Sequence, residues 1–312
     1  MPIPVIIDTD PGQDDCIAIL LALASPEIEV VGLTAVAGNV PLALTARNAL
    51  KICELAGRAD VPVFAGCDRP LLEPPITAEA VHGRTGLDGA DLPEPRASLR
   101  PAHAVDWLIE TLMARADAGT TVVAVGPLTN IAMALRRAPA VARKIDRLVI
   151  MGGSLKVGGN VTPAAEFNIA VDPHAARIVF ESGIEIALFP LDVTWKVRLG
   201  PAQIARIQAL GRPAARTVAD LLAFYVESQR QHEGGTAGAP LHDACTIAWL
   251  IDPTLFRGNR VAVQVETEGA LTRGMTVADW RGQWGLAPNC LAFDEADAPR
   301  LFDLLCERLG RL

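Results

Sequence analysis

The stretch Ile3-Pro4-Val5-Ile6-Ile7-Asp8-Thr9-Asp10-Pro11-Gly12-Gln13-Asp14-Asp15 decides how the rest of the chain folds. Its opening is a mostly β-branched apolar run that stops at polar residues and a glycine, the pattern of a short buried strand. From Asp14 the period changes: Cys16, Ile17, Ile19, Leu20 and Leu23 recur at helical spacing and stop before Ser25-Pro26. Strand, polar loop and helix form the first unit, and the loop collects its charged groups.

Working outward, the same alternation continues. A strand is expected over about Glu29–Val36, a helix over about Leu42–Ala56 ending at Gly57, and a short strand over Val61–Phe64. Residues 66–100 are rich in Gly and Pro and contain His82-Gly83-Arg84-Thr85-Gly86-Leu87-Asp88-Gly89, a loop long enough to be functional. Then follow a helix near Ala102–Ala118, a strand Thr121–Val125, a helix from Leu128 and a strand Arg147–Met151. A long loop, a helix from Asp172 and a strand Glu185–Phe189 come next. Two helices, about Ala202–Leu210 and Ala214–Gln231, a strand Arg260–Val265 and a final helix Ala296–Arg308 complete the pattern. Such alternation predicts an α/β fold with a mostly parallel, doubly wound sheet, built as one domain over residues 1–312 with extra helices toward the C-terminus. Ligands bind beyond the carboxyl ends of such strands, where Asp10, Asn39, Gly126 and Gly152 emerge.

Composition narrows the function classes. Half of the 312 residues are hydrophobic and 21% are charged, enough for a core throughout. The net charge of −8 argues against a nucleic-acid partner, which selects basic surfaces. No apolar run reaches the ~18 residues of a membrane span, and no basic leader precedes the first strand, so a cytoplasmic enzyme is expected. The six cysteines are scattered without a CxxC pair, which predicts reduced and mostly buried thiols.

The loop itself carries the chemistry. Asp10, Asp14 and Asp15 are crowded by the Pro11-Gly12 turn. At an effective dielectric near 20 and roughly 5 Å, each ionised pair costs about 3 kcal/mol. A helix N-terminus offsets less than about 1 kcal/mol per group, so a divalent cation is the economical partner. All nearby donors are oxygens, with no His or Cys in the loop, which favours calcium or magnesium over zinc, and calcium for its looser oxygen shell. The bland alternative is Asp14 capping a helix while the others face solvent, which four aspartates in eight residues disfavour.

With those residues in view, Asp8-Thr9-Asp10-Pro11-Gly12-Gln13-Asp14-Asp15 resembles the N-terminal fingerprint of the inosine-uridine-preferring nucleoside hydrolase family. Val125-Gly126-Pro127-Leu128-Thr129-Asn130, Met151-Gly152-Gly153, Ala165-Glu166-Phe167-Asn168-Ile169-Ala170-Val171-Asp172-Pro173 and His242-Asp243 resemble further family segments in the family's order. The resemblance covers nearly the whole chain. It implies a ribonucleoside N-ribohydrolase with a bound Ca2+, held by the side chains of Asp10, Asp15 and Asp243 and the backbone carbonyl of Val125. Asp14 is implied as general base on a water, and Asn168 and His242 as further catalytic groups, His242 as the acid at the leaving base. Asn39, His82, Met151, Asn160, Glu166 and Asn168 are implied at the substrate, with His82 near the base. A homodimer or homotetramer is implied as well.

Relatives selective for pyrimidines carry tyrosine and glutamine on the helix before His242. Here that segment has one tyrosine, Tyr225, then Glu227, Gln229, Arg230, Gln231 and His232, which leaves base preference open between pyrimidine, inosine and modified ribosides. Phe224–Gly235 and the loop around His82 are where a lid is expected. Three rival readings compete. Asp8-Thr9-Asp10 after an apolar strand also suggests a phosphatase of the haloacid-dehalogenase type, although Pro11 is a poor successor to Asp10. A nucleoside sensor without turnover and an N-ribohydrolase for a non-nucleobase riboside are the others.

Overall fold

The computed structural model describes residues 1–115, 119–232 and 238–312. Among these, one nine-stranded sheet carries the fold. Its first half consists of β1 (Ile3–Thr9), β2 (Ile28–Ala35) and β3 (Val63–Ala65), connected by helices α1 (Gln13–Leu23) and α2 (Leu42–Leu55). Between β3 and the next strand lie a short helix α3 (Glu79–His82) and α4 (Ala104–Ala114). Then β4 (Thr120–Ala124), α5 (Thr129–Arg137), β5 (Ile145–Met151), α6 (Phe167–Val171), α7 (Pro173–Phe180) and β6 (Ile186–Phe189) follow.

Strand order explains where a ligand can sit. The parallel core runs β3-β2-β1-β4-β5-β6, so the winding reverses between β1 and β4. At such a switch point the two connecting loops diverge and leave a crevice at the carboxyl edge. Asp10 leaves β1 and Val125 leaves β4 at that edge. The central strands are apolar on both faces because helices cover both: Val5 and Ile7 pack on one side, and Ile6 with Val122 and Ala124 on the other.

After β6 come α8 (Leu191–Thr194), the two-residue strands β7 (Arg198–Leu199) and β8 (Ala239–Pro240), which pair with each other, and between these α9 (Pro201–Gln208) and α10 (Pro213–His232). The chain ends with α11 (Ala244–Ile251), β9 (Phe256–Val265), β10 (Thr276–Asp279), β11 (Cys290–Ala296) and α12 (Ala298–Leu309). β11 extends the sheet parallel to β6, and β9 then runs antiparallel between β11 and β10.

The expected alternation holds, with boundaries shifted by a residue or two through most of the chain. Of the helix expected to Ala118, residues 116–118 lie outside the described residues. The structure adds α3 inside the long loop, α6 ahead of the helix expected from Asp172, and α8, α11, β10 and β11. α11 escaped a periodicity reading because its sequence ACTIAWLI is apolar all round, and all but its last residue are buried. All six cysteines are free, and Cys67 alone is not fully buried. No described helix is long and apolar enough to cross a membrane.

Candidate active site

A cavity of about 680 Å³ opens at the carboxyl edge of the sheet, a size suited to a small-molecule ligand. Asp14, Asn39, His82, Val125, Met151, Asn160, Glu166, Asn168, His242 and Asp243 all line it. Asp10 and Asp15 do not line it and are buried beside it, with 0% and 1% exposure. Every site residue expected from sequence is therefore in or against one cavity.

The acidic end is built from the turn after β1. Thr9 Oγ1 donates to Asp15 Oδ1 at 2.5 Å and the Gly12 amide donates to Asp15 Oδ2 at 2.9 Å, which fixes the Asp15 carboxylate under the first turn of α1. The Asn39 amide donates to Asp10 Oδ2 at 2.7 Å, and the Asn39 side-chain nitrogen donates to the Asp10 carbonyl at 3.1 Å and to Asp15 Oδ2 at 3.2 Å. Gly38 and Gly126 give the Asp10 carboxylate its space, because a Cβ on either would stand 2.0 or 2.6 Å from an Asp10 oxygen. Carboxylate oxygens of Asp14, Asp15 and Asp243 lie within 4.8 Å of one another.

This cluster is under electrostatic load. Burial, then the charge of Asp15, pushes the Asp14 carboxyl up to about 8. Burial, followed by the neighbouring aspartates, holds Asp10 and Asp243 well above the usual carboxylate range, and burial raises Asp15. Asp10 Oδ1 and Asp14 Oδ1 are buried with no hydrogen-bond partner. Several buried acidic oxygens, two of them without a hydrogen-bond partner among the described residues, are the donor set a hard divalent ion satisfies. The residues present fit a metal.

Asp8 stands apart. It accepts from Thr34 Oγ1 at 2.5 Å and Asn130 Nδ2 at 2.8 Å, is fully buried, and is pushed by burial to about 7. A group so enclosed cannot act as the exposed nucleophile that a phosphatase of the haloacid-dehalogenase type requires.

Further polar side chains line the cavity around the ends of β4 and β5. Asn168 Nδ2 donates to the carbonyls of Val125 at 2.9 Å and Met151 at 3.1 Å. Glu166 caps α6, accepting from the amides of Asn168 at 3.0 Å, Gly153 at 2.8 Å and Ile169 at 3.3 Å, while burial raises its carboxyl to about 7. Asn160 Oδ1 accepts from the Phe167 amide at 3.0 Å.

Two imidazoles also line the cavity. His242 Nδ1 lies 2.8 Å from Thr194 Oγ1, and His82 Nδ1 lies 2.7 Å from Gln13 Oε1. Burial pushes His82 down to about 4; burial, then the charges of Arg198 and His82, pushes His242 to about 3. Desolvation keeps both rings uncharged. Tyr225 stacks on His82, with ring centroids 5.6 Å apart, and accepts from Gln229 Nε2 at 3.2 Å. Both line the cavity one helical turn apart on α10. Arg230 instead forms an exposed pair with Glu227 at 2.7 Å, and the side chain of His232 and residues 233–235 of the expected lid lie outside the described residues.

Trp195 and Arg198 also line the cavity, and Thr194 and Gln13 hold the imidazoles. None of these four was assigned from sequence. Gln13 sits inside the opening stretch but its amide carries no acid–base signal, and Thr194 is the last residue of α8, whose position only the fold reveals.

Comparison with known proteins is consistent with this geometry. The family model described as inosine-uridine preferring nucleoside hydrolase matches residues 5–303. A protein of Schizosaccharomyces pombe is 48% identical over 312 residues, covering 99% of both chains. The pyrimidine-specific ribonucleoside hydrolase RihA of Enterobacter sp. (strain 638) is 47% identical over 311 residues, covering 100% of this chain and 99% of its own. The structure of the purine-preferring ribonucleoside hydrolase from Gardnerella vaginalis superposes with a TM-score of 0.92 at 32% identity, covering 98% of each chain. The chain belongs to the inosine-uridine preferring nucleoside hydrolase family.

Proposed function

We propose that this chain hydrolyses the N-glycosidic bond of pyrimidine ribonucleosides such as uridine and cytidine, releasing free base and ribose, with Ca2+ as its metal. The observation that carries this is a single cavity lined together by buried carboxylates, side-chain amides and two neutral imidazoles. A ribosyl bond needs those three functions: water activation, sugar binding and a partner for the leaving base.

Asp10, Asp15, Asp243 and the Val125 carbonyl are the groups assigned to the metal. When bound there, a calcium ion neutralises the buried carboxylates, engages sugar hydroxyls and lowers the pKa of an adjacent water. Asp14 takes the proton of the attacking water as a carboxylate, the form that a cation bound beside it would favour. Asn39, Asn160, Glu166 and Asn168 hold the ribose, and Glu166 and the Asn168 amide oxygen face the positive charge that develops on the ring as the base departs. Met151 forms part of the wall against the sugar. His242, held at Nδ1 by Thr194, is the group that hydrogen-bonds the leaving base through Nε2.

Tyr225 and Gln229 support a pyrimidine. Both line the cavity, and the relatives named above include a pyrimidine-specific enzyme. Measured release of free base from uridine, cytidine, inosine, adenosine and modified ribosides, with and without chelator, tests the assignment. Turnover confined to purine or non-nucleobase ribosides overturns the pyrimidine preference; tight nucleoside binding without base release overturns catalysis.

A further inference from the structure

We propose that Gln13 is a positioning residue that locks His82 as its Nδ1–H tautomer, so that Nε2 meets the substrate as a hydrogen-bond acceptor and selects a nucleoside with a donor at that point. This rests on the cavity taking a nucleoside.

The assignment comes from counting donors. Gln13 is fully buried, and its Nε2 donates to two carbonyls, those of His82 and Asp88, each at 3.0 Å. Turning the amide over would set its oxygen against both carbonyl oxygens, so its orientation is determined. Oε1 is then left facing His82 Nδ1 at 2.7 Å, and an amide oxygen only accepts. The imidazole proton must sit on Nδ1. Nε2 is the bare nitrogen, on a residue that lines the cavity, and it has no protein partner among the described residues.

The ring has no freedom to escape this. One face lies on Gly12, where a Cβ would stand 2.4 Å from Nδ1, and Tyr225 stacks on the other with ring planes 17° apart. A second clamp comes from Asn48, whose Nδ2 donates to the carbonyls of Pro11 at 3.1 Å and Thr85 at 2.8 Å and so ties the His82 loop to the acidic turn. The two imidazoles therefore need not do the same thing: His242 serves the leaving base, and His82 reads a donor. A uridine offers two such donors away from the metal, the 5′-hydroxyl and the base N3–H.

The test uses the full chain labelled with 15N-histidine, with the His82 signals assigned by their loss in His82→Asn. Wild type should show a protonated Nδ1 and a bare Nε2. The near-isosteric Gln13→Met should let the Nε2–H form appear and lower kcat/KM for uridine about tenfold. With wild type, either 5′-deoxyuridine or N3-methyluridine should lose about tenfold in kcat/KM, identifying the donor, and the same change should cost Gln13→Met little more. A wild-type proton on Nε2, or equal turnover of all three substrates, overturns the proposal. If wild type releases no base from any nucleoside, the proposed activity fails, while the nitrogen spectra still decide the tautomer.

Discussion

Asn168 holds Val125: its carboxamide nitrogen donates at 2.9 Å to the carbonyl oxygen assigned to the metal, and at 3.1 Å to the carbonyl of Met151 one strand away. One side chain thereby ties the ends of β4 and β5 together at the floor of the cavity. A carbonyl has two lone pairs, so accepting from Asn168 leaves one for a cation and orients it. Asn168→Ala should weaken calcium binding about 10- to 100-fold, by isothermal titration, and lower uridine turnover by at least as much. Unchanged calcium affinity would remove Asn168 from the support of the metal site.

Gly126 is predicted to be irreplaceable for a different reason. A methyl group there would stand 2.6 Å from Asp10 Oδ1, in a carboxylate already held from the other side by the Asn39 amide. Gly126→Ala should therefore displace Asp10 and lose calcium binding, while circular dichroism still reports a folded chain. Wild-type calcium affinity in that variant would show that Asp10 Oδ1 is not needed at the metal.

Much of this was legible in the sequence. The switch from β-branched run to helical period at Asp14 located both β1 and the acidic turn, because a change of period needs only local information. Asn168 and His242 were placed by resemblance, and the fold brings them to the same cavity from distant loops. What stayed hidden depends on long-range contact. Gln13, Thr194 and the Gly126 approach to Asp10 carry no periodic or compositional signal, since each acquires its role from a partner distant in the chain. The neutral state of His242 is of the same kind: desolvation is a property of the packed site, not of the residue type.

Stability should depend on pH and calcium together. In the folded chain burial keeps Asp8 and Asp14 protonated up to about 7 and about 8, whereas in the unfolded chain they ionise near 3.8. Between those values the folded state binds more protons, so stability falls as pH rises. Chelator-treated protein should lose several degrees in Tm from pH 5 to pH 8. Calcium, which binds the ionised carboxylates, should reverse that loss, with a stabilisation that grows with pH. A Tm that rises across this range in chelator would contradict the buried, uncompensated cluster.

Thr194→Val removes the hydroxyl 2.8 Å from His242 Nδ1 and keeps the side-chain shape. With its ring no longer oriented, kcat for uridine should fall about tenfold with KM little changed, since the contact serves the leaving base and not ground-state binding. A rise in KM alone would place His242 in substrate binding.

The central claim is that the carboxylates after β1 hold a calcium ion that ribonucleoside cleavage requires. The most direct measurement is uridine hydrolysis by chelator-stripped protein as calcium is added back, beside Asp10→Ala and with 2′-deoxyuridine as the alternative substrate. Activity should return in step with calcium binding in wild type, should be absent from Asp10→Ala at any calcium concentration, and should be poor on 2′-deoxyuridine. Full uridine turnover by the stripped wild type, or by Asp10→Ala, would contradict the account.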